Sequence, residues 1–360
     1  MKMKKMVALG AAVGVALAGL GLAMPANAEP VSNGYVLVGS DTLQDSTNAL
    51  INGTRISGSP VRVTSGGTNL GSYDAFGSGL IQTKSGGPYF VRPAGSGAGV
   101  TALRASISGN VYNGKVITGQ VDIARSSSSP GSNASSEGKL AYVPYARDAV
   151  SYAYNGTNND LANLTSAQLK QIYESNTPVV IGTTTVKPRL PQNGSGTRSF
   201  FLGAINVTAV GSTVGDTNNT RPENDASILQ ADEIIPFSVA SWTAQANGAT
   251  PSNTIAGTNV KLGAPTGVAP VSVSGTVTTP NAAFYADAKF GRNTFLVVEY
   301  ARIDANSANF DANLTRLLDP ATTTGLTNMG TFGSTSGAVK RKFGFLEPSS
   351  TDIIRAYATL

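Results

Sequence analysis

The chain has 360 residues, 41% of them hydrophobic and 13% charged, which is enough apolar material for two domains with their own cores. It has no cysteine and no histidine, and this excludes disulfides, a thiolate nucleophile, a lipid-modified cysteine, a Ser-His-Asp triad and a His-ligated zinc. The net charge is +5, with no basic block of the kind that binds nucleic acid.

The N-terminus reads as a secretory leader. Lys2, Lys4 and Lys5 form a positive region, Val7–Ala23 is an apolar run, and Pro25 precedes the small-x-small triplet Ala26-Asn27-Ala28. Cleavage is expected after Ala28. Removing residues 1–28 lowers Lys+Arg from 26 to 23 and leaves Asp+Glu at 21, so the charge falls from +5 to +2. The apolar run is short for a membrane span, and no later segment is apolar enough for one.

Gly34–Gly39 reads as a buried strand that runs into Ser40-Asp41-Thr42-Leu43-Gln44. A helix is predicted over Ser46–Ile51, with Asp41 and Gln44 as an N-cap signature and Asn52-Gly53 as its stop. Residues 54–90 are loop-rich. Arg92-Pro93-Ala94-Gly95-Ser96-Gly97-Ala98-Gly99 opens a second unit, with a helix over Val100–Ser106. Val121–Arg125 is a short strand leading into the run Ser126-Ser127-Ser128-Ser129 and a flexible loop. Tyr142–Ala153 reads as one long extended segment. Thr165 and Gln168 form a capping box before a helix over Leu169–Tyr173. Strand-like Val179–Ile181 and Val186 lead to Pro191-Gln192-Asn193-Gly194-Ser195-Gly196-Thr197-Arg198, with a helix continuing through Phe200–Leu202. Ile234–Ser238 is a strand followed by a helix through Trp242. Residues 244–283 are β-like and rich in turns, and Asn293–Val298 is an apolar strand.

Three segments share one design, a strand, a Gly/Ser/Thr turn and a helix: Gly39-Ser40-Asp41-Thr42, Gly95-Ser96-Gly97-Ala98-Gly99 and Gly194-Ser195-Gly196-Thr197. A helix start offers unpaired N–H groups and the positive end of the helix dipole, and glycine lets the backbone approach a ligand. One such turn is an ordinary cap. Three of them point to an anion held mostly by neutral donors. Arg125, Arg147 and Arg198 lie near these turns as candidate forks onto two anion oxygens or as solvated surface groups. Asp41 and Asp148 are the nearest carboxylates. A buried carboxylate beside the anion would accept the proton of monohydrogen phosphate and repel sulfate, which has none. The plainer roles are an N-cap for Asp41 and an ion pair for Asp148.

Taken together, Val38–Asp45, Arg92–Gly99, Val121–Ser127, Ala146–Tyr152, Leu164–Tyr173 and Pro191–Arg198 resemble, in order and spacing from about residue 35 to 245, the phosphate-binding proteins of phosphate ABC transporters. These are type II substrate-binding proteins. Arg292–Val298 is similar to the family's return strand. The resemblance implies an α/β fold of two lobes joined by crossing hinge strands, with ligand in the cleft. It places Thr42, the Leu43 backbone and Ser96 on one side of the anion, and Ser195, Gly196 and Thr197 on the other. The wider candidate set adds Ser40, Asp41, Gly95, Arg125, Ser126, Ser127, Arg147, Asp148, Gly194 and Arg198. The chain departs from the pattern twice. The family's carboxylate acceptor falls in the run Ser126–Ser128, and the arginine that better-known members carry before Gly-Ser-Gly-Thr falls near Pro191.

The expected organisation is a leader over 1–28, one lobe from 29–147 with 288–360, and a second over 148–287. The expected activity is capture of inorganic phosphate or a similar oxyanion by a secreted or periplasmic monomer. An ABC transporter permease is the implied partner, with no cofactor, no metal, no nucleic acid and no catalysis. Two other readings stand beside it. One is a ligand-free surface protein on the same fold. The other is a serine hydrolase using the S-x-x-K spacing of Ser136 and Lys139.

Overall fold

The computed structural model describes residues 31–56, 58–156, 159–215, 221–331 and 333–360. The expected leader and its cleavage site lie outside the described residues. Ten strands form the main sheet: β1 (Tyr35–Gly39), β2 (Leu70–Ser72), β3 (Ile123–Ser126), β4 (Leu140–Asn155), β5 (Val179–Ile181), β6 (Thr184–Pro188), β7 (Glu233–Ser238), β8 (Val260–Leu262), β9 (Gly291–Glu299) and β10 (Ile354–Ala356). The helices are α1 (Gln44–Asn52), α2 (Ser96–Ser108), α3 (Ser166–Glu174), α4 (Gly196–Ala204), α5 (Val239–Ala246), α6 (Ala282–Tyr285), α7 (Ala312–Leu317) and α8 (Ser336–Lys342). Among the described residues, no helix is long and apolar enough to cross a membrane.

The strand order is β5-β6-β7-β4-β9-β3-β1-β2, with β8 and β10 also paired to β4. β1 runs parallel to both β2 and β3, while β9 is antiparallel to β3 and β4. The order β2-β1-β3 creates a topological switch point, and ligands of open α/β sheets sit outside the strand ends at such points. Gly39–Leu43 and Ser126–Ser127 leave the sheet there.

The fold is two-lobed, and β4 is the reason. Its sixteen residues form one strand. Leu140–Ala149 pair with β9, and Val150–Tyr154 pair with β7. The two lobes therefore share one backbone ladder.

Alternation along the strands distributes the core. Tyr35 and Leu37 of β1 enter one apolar cluster with Leu296 and Val298 of β9, while Val36, Val38, Phe295 and Val297 enter a second on the other face. All five residues of β1 are buried, as expected for a parallel strand covered on both sides. Beyond the partner change, Val150, Tyr152, Tyr154 and Ile234 pack in a third cluster, and Ala153, Ile235 and Phe237 in a fourth.

Most elements lie where the pattern predicts them, with longer bounds. The capping box at Thr165 and Gln168 is present in full. The N-cap role of Asp41 is corrected by the structure. α1 begins at Gln44 after Leu43, without a side-chain cap, and Asp41 contributes only its carbonyl, to the Gln44 N–H at 2.9 Å. Its carboxylate instead accepts from Asn224 Nδ2 at 2.8 Å. That partner is distant in sequence, which no local spacing reveals.

Two glycines bring α2 against β1. Gly39 has φ +111°, and a Cβ on Gly99 would lie 2.7 Å from the Gly39 Cα. Backbone atoms cannot yield as a flexible side chain does. Gly99→Ala is expected to lower stability by about 1–3 kcal/mol through this overlap. Gly203→Ala, in α4 with open space around it, is expected to be neutral or stabilising by up to about 1 kcal/mol. Urea midpoints at unchanged m-value check both, and equal effects of the two changes would refute the packing argument.

Candidate functional site

The N-termini of α1, α2 and α4 converge at the seam between the lobes. Ser195 caps α4 by accepting from the Arg198 N–H at 3.0 Å. α2 starts after Gly95 at φ +109° without a side-chain cap, so the Ser96 hydroxyl turns elsewhere. It lies 3.1 Å from Ser127 Oγ and accepts from the Ser127 N–H at 2.9 Å. Contacts then cross the seam. The Gly97 N–H donates to Gly194 O at 3.1 Å, Ser128 Oγ donates to Gly196 O at 3.3 Å, and the Thr42 and Thr197 hydroxyls lie 3.4 Å apart. A Cβ on Gly196 would sit 2.3 Å from Ser127 Oγ and 2.4 Å from Ser96 Oγ, so these hydroxyls crowd against bare backbone.

Arg292, the second residue of β9, supplies the charge. Its Nη2 donates to Thr197 Oγ1 at 3.0 Å and to Thr42 Oγ1 at 3.4 Å. Its Nε and Nη2 donate to Asp148 Oδ2 at 3.1 and 2.8 Å. Asp148 also accepts from Ser238 Oγ at 2.9 Å and from the Ala240 N–H at 3.0 Å, at the start of α5. The guanidinium lies 5.4 Å from the Phe200 ring centroid. Arg292 and Asp148 are both buried, and Arg292 Nη1 and Ser40 Oγ have no hydrogen-bond partner. A buried donor without an acceptor is costly, and an oxyanion supplies what Nη1 lacks.

On the other flank stand two carboxylates. Glu223 is buried, accepts from Ser195 Oγ through Oε2, and has no partner for Oε1. Burial raises its pKa, partly offset by the Ser195 hydrogen bond and the Arg292 charge. Burial also holds the Asp41 carboxyl well above its usual range, with the neighbouring Glu223 charge adding to the effect.

The other predicted residues take different places. Arg125 is fully buried and spent on structure: it donates to Ser40 O at 3.1 Å, Ser72 Oγ at 2.5 Å and Tyr73 O at 2.6 Å, fixing the turn after β1. Burial lowers its pKa to about 10. Arg147 neighbours Asp148 on β4 and therefore faces the opposite side of the sheet. It donates to Tyr285 O at 2.6 Å and Asn293 Oδ1 at 3.2 Å. Arg198 donates to Pro191 O at 2.9 Å and lines a groove of about 410 Å³ with Ser126, Ser128 and Ser195. Leu43 is buried, with its side chain in the core and its carbonyl accepting from Ser46 and Thr47. Ser136 and Lys139 are exposed in a turn, away from any helix start.

Sequence reasoning missed Arg292 and Glu223. Arg292 was visible only as part of a return strand. Its cross-strand pairing with Asp148 belongs to the folded sheet and left no local signal in the sequence. Glu223 lies in an irregular segment with no pattern to mark it. Among the described residues no group of three or more His, Cys, Asp or Glu is arranged to hold a metal ion.

A family model described as a PBP superfamily domain matches residues 81–313, well over half of the chain. No curated protein sequence matches it. Among solved structures, the chain is similar to an ABC-type phosphate transport receptor from Vibrio cholerae at 17% identity and a TM-score of 0.52, covering 87% of this chain and all of the other. It is also similar to a phosphate-binding protein from Stenotrophomonas maltophilia at 12% identity and a TM-score of 0.48, covering 89% of this chain and 91% of that one.

Two outcomes follow from the geometry. Asp148→Ala strands a buried guanidinium and is expected to cost about 3–5 kcal/mol in urea unfolding; a loss under about 1 kcal/mol would mean the pair is not buried as described. Asp41 and Glu223 have folded pKa values above their unfolded ones. Their stabilising contribution is full below the unfolded value of about 4 and is lost as pH rises through the folded values. The urea midpoint of Glu223→Gln should therefore decline less than that of the parent between mildly acidic and neutral pH, and parallel curves would contradict this.

Proposed function

We propose that this chain, which belongs to the PBP superfamily, captures a small tetrahedral oxyanion, inorganic phosphate, between its two lobes and presents it to an ABC transporter. The observation that carries the reading is Arg292 Nη1, a buried donor without a partner at the meeting point of three helix starts. Thr42, Ser96, Ser127 and Thr197, together with the helix N–H groups, would replace their mutual contacts with contacts to anion oxygens as the lobes part and close. Residues 29–147 with 288–360 would form one lobe and 148–287 the other. The hinges would lie where β4 changes partner and where β9 begins. The leader over 1–28 would direct the chain out of the cytoplasm, and the exported chain would act as a monomer.

Asp148 is fully engaged by Arg292, Ser238 and Ala240, so it orients the guanidinium rather than receiving a ligand proton. The proton of monohydrogen phosphate would go to the Asp41–Glu223 pair, where Glu223 Oε1 is unpaired. That assigns the preference for phosphate over sulfate to a carboxylate outside the serine run. The similarity to phosphate receptors supports the ligand class.

Calorimetric titration of the ligand-stripped chain at neutral pH tests the reading. Phosphate is expected to bind at least about 100-fold more tightly than sulfate. Thr197→Val should weaken phosphate by about 10-fold and Arg292→Met by about 100-fold or more. Glu223→Gln should narrow the gap between the two anions. Absence of any anion response would overturn the function, and a parent chain preferring sulfate would overturn the role of Glu223.

A further inference from the structure

The groove of about 410 Å³ beside Arg198 shares Ser96, Ser128 and Ser195 with the seam cluster. A lone phosphate fills a small part of such a volume, which is of the size that takes a small organic molecule. One side is built from the segment between Ser126 and Asn133, and the other from the first turns of α4 with Arg198, Ser199 and Leu202. Serines recur on both sides, and the described lining residues include no carboxylate. Serine hydroxyls donate and accept, as the hydroxyls of a sugar do. Tyr142 and Tyr357 add aromatic surface against which the C–H face of a sugar ring can lie.

Tyr357 is held at this groove against its own backbone preference. Its φ is +58°, in the left-handed region that bulky residues rarely adopt. Its N–H donates to Asn133 O at 2.9 Å, and the Arg104 guanidinium lies 4.4 Å from its ring centroid. Strain of this kind persists only where the surroundings fix it, and it collects at ligand sites.

We infer that the groove holds the sugar of a sugar phosphate whose phosphoryl group occupies the anion site. The inference rests on the anion reading above and names a wider ligand class for the same site. A site that takes only free phosphate must enclose all four oxygens. Here the side formed by Ser96 and Ser195 borders the groove, so one oxygen can carry a carbon substituent. Arg198 in the groove wall adds positive charge for the phosphoryl group. A sugar phosphate in its monoanionic form keeps the proton that the Asp41–Glu223 pair would receive, and this form is abundant at about pH 6.

The ligand-stripped full chain is titrated by calorimetry at about pH 6 with glucose 6-phosphate, inorganic phosphate and glucose. Saturable binding of glucose 6-phosphate is expected, with one-to-one displacement by phosphate and with glucose binding at least about 100-fold more weakly. Ser129→Trp and Asn133→Trp change exposed groove positions outside the donor cluster. Each is expected to weaken glucose 6-phosphate by about 10-fold or more through steric blockage and to leave phosphate affinity unchanged. Phosphate binding without glucose 6-phosphate binding would overturn this inference and leave the anion reading standing. So would glucose 6-phosphate binding that phosphate does not displace, that glucose matches, or that both substitutions leave unchanged, and so would an equal loss of both ligands in the variants. If neither ligand binds the parent chain, the anion reading falls and this inference falls with it.

Discussion

The Arg292–Asp148 pair is the contact on which the seam depends. It joins facing residues of β9 and β4 in cross-strand register, just before β4 exchanges β9 for β7 as its partner. Neither charge reaches solvent, so each is tolerable only because the other is present and because further donors complete the carboxylate. Ser238 and Ala240 supply those donors, which also fixes α5 to β4. The guanidinium is thereby held in one orientation, aimed at Thr42 and Thr197 on opposite sides of the seam. A mobile arginine would lose side-chain entropy on meeting a ligand, and this one has already lost it on folding.

Around this fixed charge the chain uses small neutral groups. Hydroxyls of Ser96, Ser127 and Ser128 meet at distances that a side chain at position 196 would forbid, and those of Thr42 and Thr197 lie 3.4 Å apart. Gly39 and Gly99 let α2 approach the end of β1, which brings the α2 start to the same place. The result is a concentration of dipoles and hydroxyl donors around a buried guanidinium, where each donor counts for more than it would at a surface.

The electrostatic asymmetry beside it is as notable as the donor cluster. Asp41 and Glu223 stand between the hydroxyl-rich seam and a cavity walled by further carboxylates. Burial pushes both acids toward their protonated forms, and the Arg292 charge pulls Glu223 the other way. The Glu223 charge raises the Asp41 pKa, so a change in the charge of one acid is felt by the other. The hydroxyl-rich seam and the acidic cavity therefore meet through one pair of side chains, and the charge changes character across them.

Much of this was determined by the sequence alone. Alternating apolar residues and Gly/Ser turns mark β1, β3, α2 and α4, because strand periodicity and helix starts are local physics. The family resemblance brought the two-lobed fold with them. The long extended segment over Tyr142–Ala153 was legible as one strand of β4, but its change of partner at Val150 was not, since pairing is a long-range matter. The three candidate arginines were chosen by nearness in sequence. Folding turned Arg125 into a buttress, faced Arg147 away by the two-residue period of the strand, and placed Arg198 on a neighbouring groove. The arginine at the seam comes from position 292, and the unpaired carboxylate from position 223. Only tertiary structure decides such roles, because a buried charge is selected by the partners that surround it, and those partners arrive from distant parts of the chain.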